Sequence, residues 1–285
     1  MSTAAQVAVV TVVRGRHEHL VRQQRSLSAG TVRPGRWVVV AMDDEEIEPL
    51  LTAAADAVAL EVVPLPCDPA ALPLAAARNL GAARAIAAGA TTLVFLDVDC
   101  LAGPELVAAY DAAVVDDPDV VWSGPVTYLP DGLGEEQLAR PWELDAPHPA
   151  RSMPPPGQHV LGAPPELFWS LSFALSARAW ERVGGFCEEY VGYGGEDTDF
   201  GFLVCARGLE HGWLGGARAY HQHHRVERPP VRHLDDILRN GAVFARRWGW
   251  WPMTGWLEEM QAQGLVVRDG DGWARAPASG VGPPP

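Results

Sequence analysis

The chain has 285 residues, 48% of them hydrophobic, enough to bury a sizeable core in one large domain or one domain with an appendage. Its 22 Lys+Arg against 36 Asp+Glu give a net charge of -14. That balance argues against nonspecific nucleic-acid binding, which needs clustered cations to neutralise phosphates. A phosphorylated ligand stays within reach if a divalent cation supplies the positive charge.

Val7 to Val13 is a continuous β-branched run and predicts a strand buried on both faces of a parallel sheet. His19 to Leu27 reads as a helix. Trp37 to Met42 predicts a second buried strand, ending at Asp43-Asp44, and Glu45 to Ala57 a helix. Leu60 to Val63 is a short third strand. Leu74 to Ala88 is Ala-rich and helical, stopped by Gly89, and Thr92 to Leu96 is a fourth strand ending at Asp97. The alternation predicts an open α/β sheet with crossover helices, in which ligands bind beyond the carboxyl ends of the strands. Asp43 and Asp97 lie at two such ends.

Pro104 to Asp116 reads as a helix and Val120 to Trp122 as a strand. Asp145 to Pro165 is rich in Pro, Gly and His with no hydrophobic period, which predicts a mobile loop able to close over ligands. Phe168 to Leu175 is strand-like, Ala177 to Val183 a short helix closed by Gly184-Gly185, and Thr198 to Gly208 a helix. Trp213 to Tyr220 predicts one strand and Val231 to Trp248 a longer helix. The cluster Trp248, Trp250, Trp251 and Trp256 reads first as core packing. No apolar run reaches the ~20 residues of a membrane helix. The four cysteines show no zinc spacing, and the N-terminus shows no leader pattern. The expectation is a soluble cytoplasmic protein.

Three constellations carry chemistry. Asp97 and Asp99 alternate on one face of an extended segment at a strand end, which suits a hard cation with open positions for phosphate oxygens. In the run Val191 to Phe200, glycines allow close backbone approach, and Glu196, Asp197 and Asp199 then crowd a helix start, where the macrodipole favours anions. Tyr220-His221-Gln222-His223-His224 follows a strand and could complete a metal site with Asp99. His221 is the preferred ligand and His224 the alternate.

With these in place a resemblance can be stated. Val9-Val10-Thr11 with Ser26-Leu27, Ala77 to Gly81, Phe95 to Asp99, and Gly194 to Asp197 occur in the order and at the separations seen in family-2-like glycosyltransferases of the GT-A fold. Phe168 to His224 resembles the galactosyltransferase-type C-terminal module. The resemblance implies a Rossmann-like, mostly parallel central sheet flanked by helices. It covers about residues 5–225, which makes 1–225 the catalytic domain; the residues that follow read as a C-terminal helical extension over 226–276 and a disordered tail over 277–285. It implies that Thr11, Arg14, Asp43, Arg78, Asn79, Asp97 and Gly195 border a nucleotide sugar. Asp97, Asp99 and His221 would hold Mn2+ or Mg2+ on the diphosphate. Glu196 and Asp197 would face the sugar and the acceptor hydroxyl, with Asp197 the key carboxylate.

The expected activity is therefore metal-dependent transfer of a hexose from a nucleotide sugar to a saccharide or glycoside hydroxyl. The lean is to mannose from GDP-mannose, and UDP-sugar-dependent hexosyl or N-acetylhexosaminyl transfer is the alternative. A nucleotidyltransferase is the rival enzyme class, but its Gly-rich, lysine-bearing loop has no counterpart in Arg14-Gly15-Arg16-His17. Stereochemistry and association with further copies of the chain stay open.

Overall fold

β-Branched and aromatic side chains crowd the first strands, and these pair into the frame that carries the site. The computed structural model describes residues 2–53 and 58–277. Its packing divides the chain into two units, Met1–Glu188 with Glu196–His224, and Glu189–Gly195 with Arg225–Pro285.

The larger unit runs β1 (Ser2–Val13), α1 (His17–Ala29), β2 (Val32–Met42), α2 (Ile47–Ala53), β3 (Leu60–Leu65), α3 (Leu74–Ala87), β4 (Thr92–Leu96) and β5 (Cys100–Ala102). It continues with α4 (Leu106–Asp116), β6 (Val120–Ser123), β7 (Val126–Tyr128), α5 (Glu135–Leu138), β8 (His159–Leu161), β9 (Ser172–Ser176), α6 (Ala177–Val183), α7 (Glu196–Ala206), β10 (Glu210–Leu214) and β11 (Ala219–His221). The main sheet has the order β3-β2-β1-β4-β9-β6-β10-β8. β1, β2, β3 and β4 are parallel, β9 runs antiparallel between β4 and β6, and β8 is an antiparallel edge on β10. A small sheet, β5-β11-β7, extends from the end of β4.

Alternation along the strands sends side chains to two cores. Val9, Trp37 and Val94 share one, while Val10, Val38 and Phe95 share the other. Helix α3 lies close on β1 and β2 because Gly81 has no Cβ. One built there would meet Val10 Cγ1 at 2.4 Å. That close approach brings Arg78, one turn earlier, to the carboxyl end of the sheet.

The expected strands and crossover helices are present, with some differences. The loop from Asp145 to Pro165 contains β8, which pairs Val160 with Trp213. The strand expected from Trp213 to Tyr220 is two strands in different sheets, interrupted by Gly215 and by Gly216 at φ 95. Residues 54–57 of the expected second helix and 278–285 of the expected tail lie outside the described residues. Among the described residues no helix is long and apolar enough to cross a membrane.

The smaller unit contains α8 (Leu234–Trp248), α9 (Thr254–Ala262) and an antiparallel hairpin, β12 (Val266–Asp269) with β13 (Gly272–Arg275). The extension is thus only partly helical. Leu234, Ile237, Leu257, Met260, Val266 and Trp273 form its core, with Trp251 and Trp256 packed against it.

Candidate active site

The Asp97-Val98-Asp99 turn leaves β4 and enters β5, and it is pinned from behind. The Cys100 N–H donates to the Asp97 carbonyl at 2.8 Å. Gln23 of α1, fully buried, donates through Nε2 to the carbonyls of Asp97 and Cys100, at 2.7 and 2.9 Å. The Thr11 hydroxyl donates to Gln23 Oε1 at 2.9 Å and accepts from Trp37 Nε1 at 3.0 Å. Ser26 adds a tie, accepting the Ala102 N–H at 2.9 Å. Thr11 was expected to border the nucleotide. It is 0% exposed, and its hydroxyl is engaged in this brace.

The two aspartates serve different neighbours. Asp99 faces the small sheet. β11 pairs with β5 in a register that sets His221 opposite Cys100, and the Gln222 N–H donates to the Asp99 carbonyl at 2.7 Å. His221 Nε2 lies 3.5 Å from Asp99 Oδ1, and His224 Nε2 lies 3.4 Å from Oδ2. One ligand atom from each of Asp99, His221 and His224 falls within 4.8 Å of the others. Arg16, at φ 50, brings Nη1 within 3.5 Å of Asp99 Oδ2. Burial opposes the charge on Asp99, yet His224, His221 and Arg16 hold its carboxyl down at about 2. Burial lowers the His221 pKa, which keeps its imidazole neutral and able to ligate.

Asp97 is not part of this group. Its Oδ1 accepts from Arg78 Nη2 at 3.2 Å, and Arg78 Nη1 reaches Glu196 Oε1, also at 3.2 Å. Of the expected ligands, Asp99 and His221 fall together with the alternate His224, whereas Asp97 pairs with Arg78. Burial pushes Asp97 up to about 6, reinforced by Asp99 and Glu196 and opposed by Arg78. Asp97 and Glu196 in turn outweigh desolvation and keep the Arg78 cation firmly protonated.

Glu196 and Asp197 open α7, where the free N–H groups of a helix start favour acids. Asp197 Oδ1 accepts the Thr198 N–H at 2.7 Å. Burial, then the charge of Glu196, pushes the Asp197 carboxyl up to about 7. Gly195, immediately before, belongs to the smaller unit. Its φ of 93 is a conformation that suits glycine, and a Cβ there would meet the Tyr190 ring at 3.1 Å. Within that unit the Asn240 side-chain amide donates to the carbonyls of Val191, Tyr193 and Gly194, which holds the Gly-rich run in shape.

Asn79 was expected near ribose or diphosphate. Its amide is committed to the chain after α6: Nδ2 donates to the Phe186 carbonyl and to Glu188, and Oδ1 accepts the Phe186 N–H. Arg14 and Asp43 lie where expected, at the ends of β1 and β2. Arg14 Nη1 donates to the Asp43 carbonyl at 3.0 Å, and Asp43 has φ 46. With His17, Asp44 and Leu72 they line a cleft of about 470 Å³. Sequence reasoning missed Gln23, Arg16 and Asn240. Gln23 and Asn240 carry no motif signal, because a buried amide in a helix is visible only through what it bonds.

The mostly parallel sheet, with a carboxylate-imidazole group at the end of its fourth strand, has the GT-A fold. In fold it is similar to S. aureus TarS in complex with UDP-GlcNAc, with TM-score 0.59, 12% identity, and coverage of 90% of this chain and 78% of that one. It is also similar to GalNAc-T7 with UDP, GalNAc and Mn2+, with TM-score 0.57, 15% identity, and coverage of 88% and 49%. Residues 164–237 match the family described as the N-terminal domain of galactosyltransferase. Over 154 residues the chain is 31% identical to the validoxylamine A glucosyltransferases of Streptomyces hygroscopicus subsp. jinggangensis and subsp. limoneus. That stretch is 48% of this chain and spans only 36% and 33% of those relatives.

Proposed function

We propose that the chain transfers a hexose from a UDP-sugar to a hydroxyl of a small saccharide or glycoside, using a divalent cation held by Asp99, His221 and His224. The observation that carries the reading is the convergence of that group, at the end of β4, with the Asp97–Arg78–Glu196 row that continues to Asp197. The UDP-hexose donor is supported by relatives named glucosyltransferases and by neighbours holding UDP or UDP-GlcNAc. The lean to GDP-mannose finds no counterpart among them.

The donor set bears on the metal. Two imidazoles beside one carboxylate suit Mn2+ better than Mg2+, which prefers oxygen ligands in near-ideal octahedral geometry. Bound there, a divalent cation would neutralise the charge that develops on the departing diphosphate. Arg14 and Asp43 would border the base and ribose in their cleft, with Asp43 accepting a ring N–H. Arg78 and Asp97 would orient the sugar. Asp197 would take the proton of the acceptor hydroxyl as its oxygen bonds to the anomeric carbon and the bond to diphosphate breaks. A carboxylate titrating near 7 is matched to that task at neutral pH. This single displacement inverts the anomeric centre.

A thermal-shift panel tests the reading with UDP-glucose, UDP-galactose, UDP-GlcNAc and GDP-mannose, each with Mn2+ or Mg2+. A donor at 100 times its Kd stabilises by about 2.7 kcal/mol, a rise of several degrees. The expected responder is a UDP-hexose with Mn2+. A flat response to every pairing would refute the proposal.

A further inference from the structure

The segment that follows β7 is tied back to that strand. The His148 N–H donates to the Val126 carbonyl at 3.0 Å, and the Thr127 hydroxyl donates to Asp145 at 3.1 Å. These ties set His148 beside Tyr128, with ring centroids 5.7 Å apart, and Trp169 meets His148 in turn at 5.1 Å. At the other end Tyr128 lies against His221, with centroids 4.7 Å apart. A row of rings thus leaves the cation group and ends at Trp169. It is not closed over as a core would be: Tyr128 is 45% exposed, and His148 and Trp169 are only half-buried.

Trp169 is held in place by a buried cation. The Arg151 guanidinium lies 4.6 Å from the indole centroid, and its Nη2 donates to the Trp169 carbonyl at 2.9 Å. Trp213 flanks the same guanidinium at 5.5 Å. Arg151 is buried, and its Nε and Nη1 have no hydrogen-bond partner among the described residues. Burying such a group is costly, and the two indoles are what offset it. Trp169 cannot turn away without uncovering that charge, so its ring is ordered before any ligand arrives and loses little freedom on binding. Burial lowers the Arg151 pKa to about 10, opposed by Tyr110, Tyr128 and then Asp197. The far end of the row is therefore within electrostatic reach of the proposed base. Aromatic faces match the apolar C–H face of a sugar ring, and phenol, imidazole and indole edges can bond its hydroxyls. His148 stands between Tyr128 and Trp169, so the row offers two ring places.

We propose that Tyr128, His148 and Trp169 form the acceptor subsite, which takes an uncharged saccharide of two rings, the reacting sugar on Tyr128 beside His221 and the second ring on Trp169. The role as acceptor subsite rests on the sugar-transfer reading, whereas binding of a saccharide there does not. The test is calorimetric titration of the full chain with methyl β-cellobioside, β-maltoside and β-lactoside. Methyl β-glucoside and β-galactoside are the one-ring controls, and each titration is run with and without UDP and Mn2+. At least one two-ring glycoside should bind about tenfold more tightly than either control, the worth of one stacked ring. Trp169→Leu, which keeps apolar cover over Arg151, should erase that preference and leave one-ring binding in place, and Trp169→Phe should keep most of it. Tyr128→Ala, at an exposed position, should weaken all saccharide binding about tenfold with Tm close to wild type. Equal affinity for one- and two-ring glycosides, a preference that survives Trp169→Leu, or binding unchanged by Tyr128→Ala would overturn the proposal. So would the absence of saccharide binding, even where UDP-hexose with Mn2+ stabilises the chain. A two-ring preference that Trp169→Leu erases, in a chain that no nucleotide sugar stabilises, would keep the saccharide site and remove the transfer reading instead.

Discussion

At the scale of single residues, the site separates two carboxylates two positions apart. Asp99 is held down at about 2 by two imidazoles and a guanidinium, while Asp97 is raised by burial to about 6. Asp99→Asn should therefore abolish Mn2+ binding in calorimetry. It should lower kcat/KM roughly a thousandfold, since a catalytic cation supplies several kcal/mol of charge stabilisation. Retained Mn2+ affinity in that variant would remove Asp99 from the ligand set. Asp197 makes the second prediction. As the proposed base it must be ionised, and burial with Glu196 raises its pKa to about 7. Activity should fall as pH drops below about 7, because the protonated carboxyl cannot accept the acceptor's proton, and should level off above it. Asp197→Asn should lower kcat by roughly 10²–10⁴-fold, flatten that profile and leave donor KM near wild type. The acids stand out in the sequence because they crowd together, at a strand end and after a glycine run, beyond what a single helix cap requires. The bonds that Thr11 and Asn79 make inside the fold were not legible, because a hydroxyl or amide inside a motif reads the same whatever its partner.

At the scale of elements, the site depends on α1 as much as on β4. The chain of hydrogen bonds from Trp37 through Thr11 to Gln23 ends on the carbonyls of Asp97 and Cys100. Gln23→Leu keeps the volume close but strands buried polar groups, so it should destabilise the fold by about 1–3 kcal/mol. Scanning calorimetry should show a Tm lower by several degrees, and Mn2+ affinity should fall with it as the turn loosens. An unchanged Mn2+ affinity would mean that the turn holds its shape without α1. β1, β2 and β4 were readable because continuous apolar runs of that length fit a doubly covered strand. β8 was not: His159-Val160-Leu161 lies among prolines and glycines and is exposed throughout, so it has no period to detect. The hairpin of β12 and β13 was missed for a related reason, being two short strands beside a helix whose pattern dominates the segment.

At the scale of the whole molecule, a chain of net charge -14 would, on the proposed function, have to bind a dianionic donor. Two explanations of cation dependence are then distinguishable. If the cation only offset the general field of the protein, monovalent salt would replace it, because long-range repulsion is screened beyond ~8 Å at 0.15 M ionic strength. If the charge is needed at Asp99, His221 and His224, screening cannot help, since the phosphate oxygens would lie within a few ångströms of it. The second case is expected. With EDTA present, UDP-hexose should produce no thermal shift at any NaCl concentration from ~0.02 to ~0.5 M. Mn2+ in excess of the chelator should restore the full shift of several degrees at every one of them. Recovery of the shift by NaCl alone would place the cation's effect in the overall field and take the donor's charge partner away from the end of β4.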